Sequence, residues 1–353
     1  MIPRECHRYR CPWNRFQVAT RCPMLPIDVP PSQTFHIAGL AVRDRRGRNS
    51  PALLSDFDLK IRFEDIVVAL GDKGAGKTIL SLALLGGLPP EHFEIEGTFG
   101  IAGQEEENAV AIRTRTTKVA LGWLPTNPED VLSPHRSVGA QLLERLPSLA
   151  SESRASRRER MWRLLEEVGL LDAEQTAARA PHRLSDPERQ RVSLALAFAH
   201  QPQFFIADDP FSSLSSSRRL PLIELLVRLA RQIGCTVLLT ARDAWVASRF
   251  ASQVVVLCQG RAVERGVKER VLEFPAHPWT RAFLAATPRH NRAQSSESLE
   301  ILRPTHASAH ASCPFSKHCS HAQPSCFEEL PQWRSLGDLH EARCLSVDTS
   351  GSP

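Results

Sequence analysis

No apolar run in the 353 residues approaches the ~18 that a bilayer-spanning helix needs. Any membrane link must therefore come through partners. The N-terminus carries no apolar stretch of signal-peptide type, so a cytosolic location is expected. Charge of one sign is scarce too: 44 Lys and Arg against 39 Asp and Glu leave a formal +5. That is mild for the length and implies no nucleic-acid partner. No C-terminal cysteine lies two residues from another, which removes the zinc-ribbon pattern. What is present is an ordinary globular composition, 42% hydrophobic and 24% charged, long enough for one large or two modest domains.

The chain is organised around Gly71-Asp72-Lys73-Gly74-Ala75-Gly76-Lys77-Thr78. An apolar run, Ile66 to Leu70, precedes it and a helical pattern from Ile79 to Leu85 follows. The order strand, glycine-rich loop, helix with this spacing is the phosphate-loop pattern. Its glycines turn backbone N–H groups inward around a phosphate chain, and the helix N-terminus adds partial positive charge. Lys77 can reach the β- and γ-phosphates, and the Thr78 hydroxyl can ligate Mg2+.

Residues 1–34 are rich in Arg, Pro and Cys and read as a disordered basic tail. A body over 35–288 opens with a strand at Phe35–Val42, a charged turn from Arg43 to Ser50 and a strand at Phe57–Ile61. Thr98 to Glu107 reads as a loop, and Lys118–Leu124 as a buried strand. A charged helical stretch, about 135–186, reads as an inserted subdomain. Ser185 and Glu188 have capping-box spacing at the head of a helix that runs to His200. Gln203 to Pro210 reads as an apolar strand that ends in two carboxylates, Asp208 and Asp209, a helix covers roughly Leu220 to Ile233, and two buried strands follow at Cys235–Thr240 and Gln253–Leu257. Alternating strands and helices predict an α/β fold with a largely parallel sheet covered on both faces. Residues 289–353 shift to Ser, His, Pro and Cys and read as an appendage in which only the cysteines suggest order.

Asp208 stands where a carboxylate can share Mg2+ with Thr78, and Asp209 where one can orient or deprotonate an attacking water. The order of the phosphate loop, helical insert, Leu184-Ser185 run and Phe205-Ile206-Ala207-Asp208-Asp209-Pro210 resembles the ATP-binding subunits of ABC transporters. Ala276-His277-Pro278-Trp279-Thr280-Arg281 is similar to the His-Pro segment of the dipeptide/oligopeptide permease group (Sap-, Dpp- and Opp-like), which often carries a cysteine-bearing C-terminal extension. The resemblance implies a RecA-like phosphate-loop NTPase fold with a helical subdomain, MgATP bound by residues 71–79, and a nucleotide sandwich with a second ABC subunit. It also implies two integral-membrane permease subunits, an extracytoplasmic substrate-binding protein acting indirectly, and a peripheral place on the cytoplasmic face of the membrane.

The chain departs from the family pattern at several positions. Thr126 stands at the family's Gln position, and Asp209 replaces the catalytic Glu with a side chain one methylene shorter. Arg242 aligns with the switch His and cannot exchange a proton near neutrality. Asp44 falls near the place of the adenine-stacking aromatic. The signature loop reads Leu184-Ser185-Asp186-Pro187, with a carboxylate and a missing N–H where amides dock on phosphate, and Ser215 takes the place of an Asp. These departures imply that MgATP is bound but poorly hydrolysed. In the permease group four comparable cysteines are associated with a [4Fe–4S] cluster, which places a candidate cluster on Cys313, Cys319, Cys326 and Cys344. Zinc and no metal are the alternatives, with His318, His321 or His340 as substitute ligands. The leading expectation is an energy-coupling subunit of a peptide importer. The alternative is a non-catalytic ABC-fold protein sensing nucleotide or redox state.

Overall fold

The computed structural model describes residues 34–46, 52–102, 119–149, 152–286, 312–337 and 339–347. The expected N-terminal tail lies outside them. The chain forms two compact bodies, one from residues 32–118 and 238–353, the other from residues 119–237. In chain order the first body opens with β1 (Thr34–Asp44), β2 (Ala52–Arg62), β3 (Ile66–Leu70), α1 (Lys77–Leu84) and β4 (Phe93–Ile101). The second body holds β5 (Leu121–Leu124), α2 (Val138–Arg145), α3 (Arg154–Glu167), α4 (Ala173–Ala178), α5 (Asp186–Phe198), β6 (Phe204–Asp208) and α6 (Ser216–Gln232). The chain returns through β7 (Thr236–Ala241), α7 (Ala244–Phe250), β8 (Gln253–Cys258), β9 (Arg261–Val267), α8 (Lys268–Glu273) and α9 (Pro278–Ala286). It ends with α10 (Ser325–Glu328), β10 (Arg334–Ser335) and β11 (His340–Ala342).

In the first body β2, β1 and β4 form an antiparallel sheet in that order. Phe35 anchors its inner face, stacked on Phe63 at 4.5 Å and Phe99 at 6.1 Å. Thr98 to Ile101 therefore lies in β4, not in a loop. Gly97 interrupts the run because at φ 107° its Cβ would stand 2.7 Å from the Ala38 carbonyl oxygen. The strand order β10-β11-β9-β8-β3-β7 follows in a second sheet. β3 and β8 are parallel, but β8–β9, β9–β11 and β11–β10 are antiparallel. The sheet is thus mixed rather than largely parallel, and its antiparallel edge is built by the C-terminal residues. Every residue of β3 is buried, as expected of a strand covered on both faces.

In the second body β5 and β6 pair in parallel. Gly122 permits this approach, since a Cβ there would meet the Phe205 ring at 2.6 Å. Phe205 stacks on Phe198 of α5 at 4.3 Å, which seats that helix on the sheet. α2, α3 and α4 supply the expected helical segment. Its N-caps Ser137 and Ser153 accept from Ala140 N and Ser156 N, which satisfies donors that the helix itself cannot.

Candidate functional site

The phosphate loop joins β3 to α1 in the first body. Gly74 and Gly76 hold φ of 85° and 98°, which side-chain-bearing residues rarely adopt. Gly71 is constrained by space: a Cβ would stand 2.8 Å from both the Leu257 carbonyl oxygen and Ala75 Cβ. Lys77 is buried, and its Nζ donates to the carbonyls of Gly71 at 2.6 Å and Asp72 at 2.8 Å. The ammonium is thus folded back over its own loop, while Thr78 is exposed beside it and Ile79 is half-buried. The β8–β9 turn packs on the same loop, with Gly260 N donating to Ala75 O at 3.0 Å. Asp44 accepts from Arg46, and its Cα partner in β4 is Phe93, an aromatic that the sequence did not single out. Arg242 is exposed just after β7, and its neighbour Asp243 caps α7 by accepting from Trp245 N at 2.8 Å.

In the second body β6 delivers both carboxylates. Asp208 and Asp209 are each 4% exposed, so both are withdrawn from bulk water. Thr126, in the loop after β5, donates through Oγ1 to the Asp208 carbonyl at 2.8 Å and lies 3.4 Å from its Oδ2. Thr126 is thus bonded to Asp208, with the backbone carbonyl as its main acceptor. Asp209 turns the chain at φ 43°, and its Oδ1 accepts from Arg219 Nη2 of α6 at 3.3 Å. Both partners are largely buried, at 6% and 14% side-chain exposure. Sequence reasoning missed Arg219, because nothing local distinguishes it from other arginines on a helix face.

The capping box at Ser185 forms. Ser185 N and its hydroxyl both donate to Glu188 Oε2 at 2.7 Å, and these bonds hold the Glu188 carboxyl below its usual range. Asp186 pairs with Arg189, whose Nε also donates to Glu129 at 2.7 Å. The polar side chains of this loop are thus occupied with one another.

The C-terminal residues 312–347 are no loose appendage. β11 adds to β9, pairing His340 with Gly266 and Ala342 with Glu264. Trp333 lies between two guanidinium groups, 4.2 Å from Arg265 and 4.7 Å from Arg343, a geometry in which cation–π attraction contributes. Glu264, fully buried in β9, accepts from Ala276 N at 2.8 Å, His277 N at 2.9 Å and His340 Nε2 at 2.8 Å. His340 is therefore committed to Glu264 rather than free to replace a thiolate. Cys313, Cys319, Cys326 and Cys344 line one small cavity together with His277, His321 and Arg343. Burial raises the Cys313 thiol to about 11, and the other three cysteines add to the effect. Among the described residues no three His, Cys, Asp or Glu side chains converge as ligands of a single ion. Nor is any described helix long and apolar enough to cross a membrane.

Comparison with known proteins agrees with the fold and the motifs. Residues 54–212 match the family model for ABC transporters, and residues 263–326 match the C-terminal region of oligopeptide/dipeptide transporters. The chain is 30% identical over 303 residues to the di/tripeptide transport ATP-binding protein DppF of Pseudomonas aeruginosa, covering 85% of this chain and 91% of that protein. It is 30% identical over 294 residues to the probable D,D-dipeptide transport ATP-binding protein DdpD of Escherichia coli K12, covering 82% and 89%. A putative peptide import ATP-binding protein of Brucella abortus is 28% identical over 327 residues, covering 88% and 96%. A dimeric bacterial ABC transporter cassette, MJ0796, superposes with a TM-score of 0.55 at 22% identity, covering 66% of this chain and 98% of that one. The class defined by fold and loop is the phosphate-loop NTPase fold. Within it, the chain belongs to the ABC transporter family, among the ATP-binding proteins that carry the oligopeptide/dipeptide transporter C-terminal region.

Proposed function

We propose that this chain is the ATP-binding, energy-coupling subunit of a peptide importer, and that its own hydrolysis is slow. The observation that carries the proposal is the phosphate loop, with Lys77 buried over the Gly71 and Asp72 carbonyls and two glycines at positive φ. Amides of residues 71–79 would cradle the phosphates, and Thr78 and Asp208 are each candidate ligands of Mg2+. Peptides as the solute class are supported by the relatives, which are named for peptide, dipeptide and tripeptide transport. Two integral-membrane permease subunits and a second ATPase subunit would complete the assembly, with this chain on the cytoplasmic face and an extracytoplasmic substrate-binding protein acting indirectly.

Slow hydrolysis is supported by three features. Asp209 is a shortened carboxylate already engaged by Arg219; the Ser185 and Asp186 side chains are tied up locally; and Arg242 stands in the place of a proton-exchanging His. The four cysteines lining one cavity support a [4Fe–4S] site. Such a cluster is held by thiolates that stand farther apart than the ligands of one ion. Arg343 lines the same cavity with its Nε and Nη1 buried and without a hydrogen-bond partner, which suits an anionic occupant.

Titration with MgATP, followed by turnover measured on the chain alone and with its membrane complex, tests the proposal. Binding that Lys77→Ala abolishes, with turnover well below that of a family member with an intact Glu and signature loop, is the expected result. No binding at millimolar MgATP refutes it.

A further inference from the structure

The His-Pro segment is not used by the nucleotide site, yet its histidine is fully enclosed and bonded on both ring nitrogens. Trp279 N donates to His277 Nδ1 at 3.0 Å, which closes the first turn of α9. Because Nδ1 accepts from that N–H, the proton of the ring resides on Nε2. That Nε2 lies 3.8 Å from Cys313 Sγ, within reach of an N–H···S bond. The backbone holds both ends of the contact: Glu264 fixes His277 N, while Cys313 N donates to Cys326 O at 2.9 Å and Arg261 Nη1 donates to Ser312 O at 2.7 Å.

We propose that His277 is a positioning residue of the four-cysteine centre, donating its Nε2–H to the Cys313 sulfur and so stabilising the thiolate and the more negative, reduced state of the cluster it ligates. The proposal rests on the four cysteines holding a [4Fe–4S] cluster. It gives the His-Pro segment a role at a site outside the phosphate loop. Hydrogen bonds to cluster sulfurs are among the determinants of reduction potential.

Two substitutions separate the cap from the donor. In His277→Asn the amide oxygen can still accept from Trp279 N, but no N–H reaches Cys313. In His277→Gln the longer amide returns an N–H near the Nε2 position. The full chain and both variants are reconstituted anaerobically with ferrous iron and sulfide, then titrated with dithionite while visible absorbance and electron paramagnetic resonance are recorded. Wild type and His277→Gln should share one midpoint. His277→Asn should be harder to reduce by about tenfold in the equilibrium, about 59 mV for one electron. An Asn variant that takes up no cluster, rescued by Gln, gives the same support. An unchanged midpoint in His277→Asn, or a loss of cluster that Gln fails to rescue, overturns the role of His277 while leaving the cluster in place in the wild type. A wild-type chain that takes up no iron and shows no broad absorbance overturns the cluster itself, and the proposal with it.

Discussion

Replacing Glu264 with Ala tests how the C-terminal residues are held to the first body. The side chain is 0% exposed and takes three hydrogen bonds, from Ala276 N, His277 N and His340 Nε2. Alanine leaves all three donors buried without an acceptor. Each orphaned donor costs about 1–3 kcal/mol. The three share one site and do not add fully, so the lower end for each gives about 3 kcal/mol, with about 5 kcal/mol as the ceiling for a broken buried charged network. At roughly 2–4 °C per kcal/mol for a body of this size, the melting temperature should fall by about 6–20 °C. Glu264→Gln keeps one acceptor oxygen but sets an N–H against a backbone or imidazole N–H, so it should fall in between. Calorimetry on the full chain reads the transition, and hydrogen exchange at 340–342 reads whether β11 has come away from β9. A Glu264→Ala protein melting within about 2 °C of wild type, with those amides still protected, would falsify the assignment of Glu264 as the clamp.

Two further outcomes follow from single contacts. Gly260 sits at φ 77°, and a Cβ there would stand 2.4 Å from the Leu53 carbonyl oxygen. Gly260→Ala should therefore push the β8–β9 turn off Ala75 and weaken MgATP binding by about tenfold or more, equivalent to about 1.4 kcal/mol; an unchanged dissociation constant in a nucleotide titration would separate the turn from the loop. His200, whose Nε2 lies 2.9 Å from Leu121 O, is held below the usual imidazole range by burial. As pH falls below about 6.5, the unfolded chain takes up a proton that the folded ring refuses. Stability should then drop by up to about 1.4 kcal/mol per pH unit from this group, and denaturant melts of His200→Gln should show a correspondingly shallower dependence on pH; an identical slope would rule the contribution out.

The parts of the fold legible in the sequence are those whose information is local. Ile66–Leu70 followed by the glycine loop, and Phe204–Asp208 followed by a second carboxylate, announce themselves as apolar runs with a chemical ending. β4 was hidden because Glu94, Glu96 and two glycines dilute the alternation of Ile95, Phe99 and Ile101, which is nevertheless there with period 2. β9 was hidden differently. Arg261 and Glu264 look like surface residues, yet both are buried because their partners lie 51 and 76 residues away at Ser312 and His340. The order of residues 312–347 was illegible for the same reason: Trp333, Arg343 and His340 are each held by a residue of the first part of the chain or of β9, and no short-range pattern encodes that. Arg219 belongs here too, since its meaning comes only from the carboxylate it meets.

The departures from the family pattern fall unevenly between the two bodies. In the first body the phosphate loop tolerates little change, because Gly71 and Gly76 each face backbone that a Cβ would strike or crowd, at 2.8 Å and 3.1 Å. A substitution there would remove binding and distort the fold together. In the second body three altered positions are polar side chains with local partners: Asp186 with Arg189, Asp209 with Arg219, and Thr126 with the Asp208 carbonyl. Such pairs keep α5 and the end of β6 folded while changing what the side chains offer to a phosphate or a water. Binding and hydrolysis can therefore come apart in this chain, because the physical constraints on them are of different kinds. Steric constraint guards the grip on nucleotide, and replaceable polar contacts govern the chemistry that follows.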